Sequence, residues 1–350
     1  VAAVDIVHDL GAGAGKAVID VANLRFGEAL QPDSLTPLAL GVVANVRGAV
    51  TGRGEIRWSG EGVTSSGVFR TQNTDLAAAF GPVTAATGEI RFTDLLGLVS
   101  APGQRMYLGE LNPGIAVLNG YIDYQLVADQ KVRIEGGRWP FAGGELILDP
   151  TILDFGVEKE RRLTFRVEGL DAAQFINQFQ LKDINVTGIF DGTIPMIFDQ
   201  HGGRIEGGRL VVREAGGTLA YVGQVSNENL GTFGSMAFDA LKSIKYNRLA
   251  IELNGPLDAE MVTQVRFTGT NQGTVDVAAG SMTRQFMGLP FIFNITIKAP
   301  FRGLLNTARS FTDPSLLIRQ NLPGFEAAEP PPPSAQPKKA VQPKESETMR

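Results

Sequence analysis

The sequence predicts a mostly β protein: a long, curled antiparallel sheet, an open barrel or taco in outline, with a few short helices capping or lining it. Three observations carry that prediction. Apolar and polar residues alternate in run after run, as Leu163, Phe165 and Val167 do against Thr164, Arg166 and Glu168, the period-two pattern of a half-buried strand. Glycine fills 42 of 350 positions, where ordinary usage would give roughly 25, and it is spread in turn-like pairs. Finally, the hexapeptide Arg133-Ile134-Glu135-Gly136-Gly137-Arg138 returns unchanged as Arg204-Ile205-Glu206-Gly207-Gly208-Arg209. Each copy follows one alternating run and precedes another, which predicts a structural repeat with Gly-Gly as a tight bend or bulge between strands.

In chain order, Gly11 to Gly15 form a turn that feeds a strand over 17–26, and 35–73 give three or four short strands broken by glycine, with Trp58 as a large anchor. Asp75 caps a small turn. The strand over 88–92 repeats Gly54 to Arg57, and several more strands fill 105–148. Gly169 ends the strand that begins at Leu163. Asp171 then caps a short helix with Phe175, Ile176 and Phe179 on one side. Strands over 184–190, 194–198, 204–213 and 217–222 are separated by Asp-Gly, His-Gly-Gly and Gly-Gly turns.

Leu230, Phe233, Ala237, Leu241 and Ile244 predict an amphipathic helix over 228–245, and Met261, Thr263, Val265 and Phe267 share one side of a later strand. The most apolar strand spans 289–301, with Leu289, Phe291, Phe293, Ile295 and Ile297 as an unbroken ladder. A short helix follows and stops at Pro314. Residues 1–325 read as a single elongated unit, and the Pro-rich, charged stretch 326–350 is expected to be disordered.

The net charge of −5 and the lack of any basic stripe argue against nucleic acid as a partner. With no cysteine, disulfides and thiolate chemistry are excluded. The stretch GAGAGKA resembles a phosphate loop only superficially, because Leu10 and Ala17 stand where that loop needs Gly and Ser or Thr. His8 and His201 are the only imidazoles, no Gly-x-Ser-x-Gly elbow occurs, and no metal cluster or calcium loop is present. The chain is expected to be no enzyme and to need no cofactor.

What remains is a sheet with one strongly apolar face. That face either packs on itself as a core, the reading that pattern alone favours, or stays partly open as a groove for acyl chains.

GELILDPTILDFG, LTFRVEGLDAAQFINQFQLKDINVTGIFDGTIPM, GGRIEGGRLVV and MGLPFIFNITIKAPFRGLL together resemble the C-terminal region of YdbH-like proteins, members of the AsmA-like group of bacterial envelope proteins, a region also labelled "dicarboxylate transport". The resemblance spans most of 100–320, while 1–90 match only in general character. It implies a non-enzymatic carrier that passes phospholipid between inner and outer membranes through an apolar β-groove crossing the periplasm. It also implies an inner-membrane anchor that this chain lacks, and a small outer-membrane lipoprotein that adds a strand near 289–301. It raises the groove above the core reading, with Phe165, Val167, Phe175, Ile176, Phe179, Ile194, Phe198, Phe267, Phe291, Phe293, Ile295 and Ile297 as lining candidates. A β-rich adhesin and a dicarboxylate-binding component are the alternatives. The adhesin should show shorter, regular repeats, and the binding component convergent Arg and Lys.

Overall fold

The computed structural model describes residues 2–39, 42–78, 81–113, 115–156, 159–178, 184–199, 202–221, 243–257, 259–272, 277–279, 282–284 and 290–300. The strands run in sequence as β1 (Ala2–Asp9), β2 (Ala14–Phe26), β3 (Val43–Ser59), β4 (Gly62–Ala78), β5 (Gly81–Asp94), β6 (Val99–Ser100) and β7 (Gln104–Leu111). They continue as β8 (Val117–Val127), β9 (Lys131–Phe141), β10 (Gly144–Leu148), β11 (Thr151–Asp154), β12 (Arg161–Asp171), β13 (Ile184–Val186), β14 (Ile189–Asp199) and β15 (Gly202–Val212). The last are β16 (Gly217–Tyr221), β17 (Ile244–Pro256), β18 (Glu260–Asn271), the small pair β19 (Val277–Ala279) and β20 (Met282–Arg284), and β21 (Pro290–Pro300). Helices α1 (Pro32–Leu35) and α2 (Ala172–Gln178) are short.

Nineteen of these strands form one antiparallel sheet. Its ladder follows the chain, β1 on β2, β2 on β3, and so on to β17, β18 and β21. Broken strands β10–β11 and β15–β16 each fill one position in it. Among the described residues β1 pairs only with β2, and β21 only with β18, so the sheet is open and has two edges. The predicted fold class is therefore present.

Alternation gives the sheet its two characters. In β12, Leu163, Phe165 and Val167 are each 1% exposed, while Arg166 and Glu168 on the other face reach solvent and pair with carboxylate or guanidinium neighbours. Equivalent rows from Leu108, Ile122, Leu148, Ile194, Met196, Ile205 and Phe267 join one buried cluster on the inner face. Bulges bend the ladder at Val167/Leu170, Thr193/Met196 and Ile205/Gly208, and each adds local twist. Each copy of the hexapeptide also marks an irregular place. In β9, Asp123 faces Gly136 while Tyr124 faces Ile134, and in β15 the shift falls at Ile205/Gly208, with Gly207 at φ +71°. The bulge is as expected, but it lies within a strand rather than between two.

Several local expectations change, and some of them because a glycine inside a strand makes room for a ring instead of turning the chain. The stretch expected as three or four short strands is two strands of 17 residues each. A side chain at Gly52 or Gly67 would meet the Phe69 ring at 2.6 or 2.8 Å, so these glycines lie flat beneath it. The same holds deeper in, where a Cβ on Gly120 would fall 2.0 Å from the ring of Trp139 and one on Gly137 2.8 Å from it. Asp75 caps no turn; it sits in β4, and its carboxylate accepts from the Ala85 amide at 3.0 Å. Gly169 does not end its strand, which bulges there and continues to Asp171. Asp191-Gly192 lies inside β14 rather than in a turn.

Asp171 does cap α2, its carboxylate accepting from the amides of Ala173 at 2.8 Å and Gln174 at 3.1 Å. GAGAGKA is a hairpin tip and strand start, with the Asp9 carboxylate accepting from the Gly11 and Ala12 amides. Ile244 opens β17 instead of closing a helix. The rest of that expected helix, His201, Leu289, the helix after 301 and the stretch 326–350 lie outside the described residues.

Two predictions follow from the packing. Gly120→Ala should destabilise by about 1–3 kcal/mol through overpacking against Trp139. In combination with Trp139→Ala, itself costly by about 3–5 kcal/mol, it should cost much less than the sum, and additive urea midpoints would contradict the ring-on-glycine packing. On the outer face, the Arg213 guanidinium and then the Gly169 amide hold the Asp191 carboxyl below its ordinary value. A depressed folded pKa stabilises above the unfolded value of about 3.9 and is lost as pH falls through the lower folded one. Asp191→Asn should therefore flatten the acid side of the stability profile below about pH 4, and an unchanged acid limb would refute the coupling.

Candidate apolar cavity

The inner face is not filled evenly. Over β9 to β14 it carries Trp139, Phe141, Phe165, Phe190 and Phe198, all at most 9% exposed, and these close it into solid core. Trp139 sets its ring 6.3 Å from that of Phe165, and its buried indole N–H has no partner among the described residues. Toward the other edge, β4 and β5 place small residues, Ala78, Ala86 and Gly88, among larger ones, and bulges at Thr71/Thr74 and Thr74/Leu76 draw the strands apart. The result is a cavity of about 350 Å³ lined by Leu76, Ile90, Phe92, Met106, Tyr124, Leu126, Leu153 and Phe155, among others. Residues from strands as far apart in the ladder as β3 and β11 share it, which requires the sheet to curl.

The crossover between β2 and β3 covers one end, bringing Leu38, Ala39 and Val42 to the lining. A single side chain pins this crossover. The Gln31 carboxamide donates to the Val46 carbonyl at 2.9 Å and to the Gly27 carbonyl at 2.8 Å, and accepts from the Val46 amide at 2.9 Å, so it stands in for a missing strand partner. At the other end lies the β8–β9 turn, where Asp129, Gln130 and Lys131 are the charged or amide-bearing residues of the lining. Asp129 and Gln130 have φ of 62° and 54°, and the Gln130 carbonyl accepts from the Phe155 amide at 2.9 Å, which ties the turn to the end of β11. Lys131 reaches Asp129 at 3.5 Å, a loose and exposed pair.

The residues singled out by the sequence lie elsewhere on the same face. Phe165, Val167, Ile194, Phe198 and Phe267 are brought together in the buried cluster. Phe175 of α2 is half-buried against it, edge-on to Phe141 at 5.9 Å, and Ile176 is half-buried. Phe179 lies outside the described residues. For Phe291, Phe293, Ile295 and Ile297 the backbone register is described and the side chains are not; β21 sets them opposite Gly269, Phe267, Val265 and Thr263 of β18. None of the seven whose side chains are described lines the cavity. The lining comes from β3 to β9 and β11, whose alternation is as regular as that of the Phe-rich strands. The available signal was the scatter of Ala and Gly among those apolar rows, which leaves volume unfilled.

The chemistry on offer is that of a binding surface. Among the described residues no group of three or more His, Asp or Glu could hold a metal ion, and His8 accepts a hydrogen bond from the Trp58 indole at 3.1 Å on the outermost strands. Burial pushes the phenols of both Tyr124 and Tyr246 up to about 12. No described helix is long and apolar enough to cross a membrane.

Neither the curated proteins nor the solved structures yield a match to this chain. Residues 1–323 match the sequence model of the YdbH-like family, described as that of the intermembrane phospholipid transport protein YdbH. The match includes the first hundred residues, which resemble the family only in general character when read by eye. An open, curled antiparallel sheet with an apolar inner face and a match across nearly the whole described fold leave one assignment: this chain belongs to the YdbH-like family.

Proposed function

We propose that this chain carries phospholipid between the inner and outer membranes by holding acyl chains on the inner face of its open sheet, without chemistry. The observation that carries the reading is the cavity of about 350 Å³ on an otherwise packed apolar face, in a chain of this family. Its size falls within the usual range of ligand pockets, about 300–1,000 Å³, and each methylene it takes from water contributes about 0.8 kcal/mol. Continuity with the buried rows of β9 to β18 gives a path along which chains slide from one apolar residue to the next. In that path the aromatic rows at Trp139 and Phe165 are the stretch that must yield, and Phe165, Val167, Ile194, Phe198 and Phe267 are its further lining.

The protein works in the periplasm, anchored in the inner membrane. The free edge of β21 takes a strand from a small outer-membrane lipoprotein, since an edge strand presents unpaired N–H and C=O groups to any chain that can complete the ladder. The described arginines that form ion pairs do so on the outer face, as Arg105 with Asp123 and Arg204 with Asp199 do, which favours lipid over a dicarboxylate as cargo.

Photocrosslinkers placed in cells at Ile90 and Met106 should capture phospholipid, whereas one at Arg91, on the opposite face of β5, should not. Equal yields from both faces would remove the groove from the mechanism. The chain has no cysteine, so single substitutions Asn294→Cys and Thr296→Cys permit a clean disulfide scan of β21 against cysteines in a lipoprotein strand. Crosslinks in a fixed register are expected; their absence at every tested pairing would exclude strand addition at this edge.

A further inference from the structure

Within the cavity one polar group has no work to do in the fold. Tyr124 stands on β8 opposite Ile134 of β9, between Ile122 and Leu126 on the apolar face, and lines the cavity. Among the described residues its hydroxyl makes no hydrogen bond, and with the side chain half-buried rather than sealed in the core it stays open to the cavity. The other described tyrosine side chains are accounted for. Tyr246 donates to the Thr187 carbonyl, while Tyr107 and Tyr121 pack edge to face, with the Arg105 guanidinium 3.9 Å from the Tyr121 ring. Apolar packing alone would be met by phenylalanine at position 124, and a hydroxyl open to an apolar cavity finds its acceptor outside the fold.

Position along the strand narrows what the acceptor is. β8 runs from Ile122, deep in the apolar lining, past Tyr124 and Leu126 to the polar turn Asp129–Lys131 at the cavity's end. A diacyl lipid has the same order of polarity: chains, then ester carbonyls, then a charged headgroup in water. Tyr124 comes between the apolar end and the polar one, where the esters belong.

We propose that Tyr124 recognises the ester region of a bound glycerophospholipid, its hydroxyl donating to an acyl-ester carbonyl while the attached chain fills the apolar part of the cavity. The inference rests on the reading that acyl lipid occupies this cavity, and adds to it a selectivity: diacyl lipid over the dialkyl ether lipid with the same headgroup and chain length. The phenol stays protonated across the physiological range because burial raises its pKa, so the preference is independent of pH there. Ether lipid retains the hydrophobic contribution and lacks the strong carbonyl acceptor.

The test is competition. The chain is incubated with equimolar diacyl and dialkyl phosphatidylglycerol of matched chains, and the bound ratio is read by native mass spectrometry for the wild type and for Tyr124→Phe, with thermal melting as the check on folding. The wild type should favour the diacyl form by roughly two- to ten-fold, the range of one neutral hydrogen bond, and Tyr124→Phe should bind both forms about equally. A diacyl preference that survives in the variant, or a wild type with no preference, overturns the role of Tyr124 and leaves lipid carriage standing. Failure of the wild type to bind either lipid overturns lipid carriage itself, and this inference with it.

Discussion

A single sheet with no second layer can shield its apolar face from water only by bending over it. Antiparallel alternation sends every second side chain to the same face, so each strand of the ladder delivers an apolar row that must meet something. Here they meet one another. Bulges at Val167/Leu170, Thr193/Met196 and Ile205/Gly208 turn the ladder inward, and Phe165, Ile194, Ile205 and Phe267 pack into one cluster. Where rings are replaced by Ala and Gly, in β4 and β5, the same bending leaves a cavity instead of a core.

The outer face follows different physics. Arg138, Arg166 and Arg204 lie across neighbouring strands and pair with Glu145, Asp149 and Asp199. Such exposed pairs contribute about 0–1 kcal/mol each, so they do little to set the stability of the sheet. Their stems matter more. Ile147 and Ile197 point to this face yet are 6% and 1% exposed, and in register they stand beside Arg138 and Arg166, and Arg162 and Arg204. Arginine covers these isoleucines with methylenes while its guanidinium reaches water and a carboxylate. At these positions the outer face presents charge to water, unlike the apolar inner face.

A transport path has to bind without trapping. The two halves of the inner face differ in the relevant way: the cavity offers space with few polar contacts, while the rows around Trp139 hold their place by close packing against Gly120 and Gly137. On the proposed path, a lipid at that point would exchange ring contacts for chain contacts of the same kind. The indole N–H of Trp139, with no partner among the described residues, fits a ring held by shape rather than by a directional bond.

Much of this protein was legible in its sequence. Period-two alternation determined which residues form strands and which of their faces is apolar, because side-chain direction in a strand depends on nothing beyond the strand itself. The capping of α2 by Asp171 and the bulge within Arg133 to Arg138 and its copy were legible for the same reason, being local chemistry. Glycine was misleading in the strands β3 and β4, since whether Gly52 turns the chain or lies beneath a ring depends on Phe69, a cross-strand neighbour that only register brings near. Beyond the hint in its scattered Ala and Gly, the cavity was not legible in the sequence: its walls come from strands as far apart as β3 and β11, and its volume is the difference between what bending encloses and what side chains fill. Alternation determines that the inner face is apolar; only the tertiary structure decided where that face is solid and where it stays open, because void space belongs to no single residue.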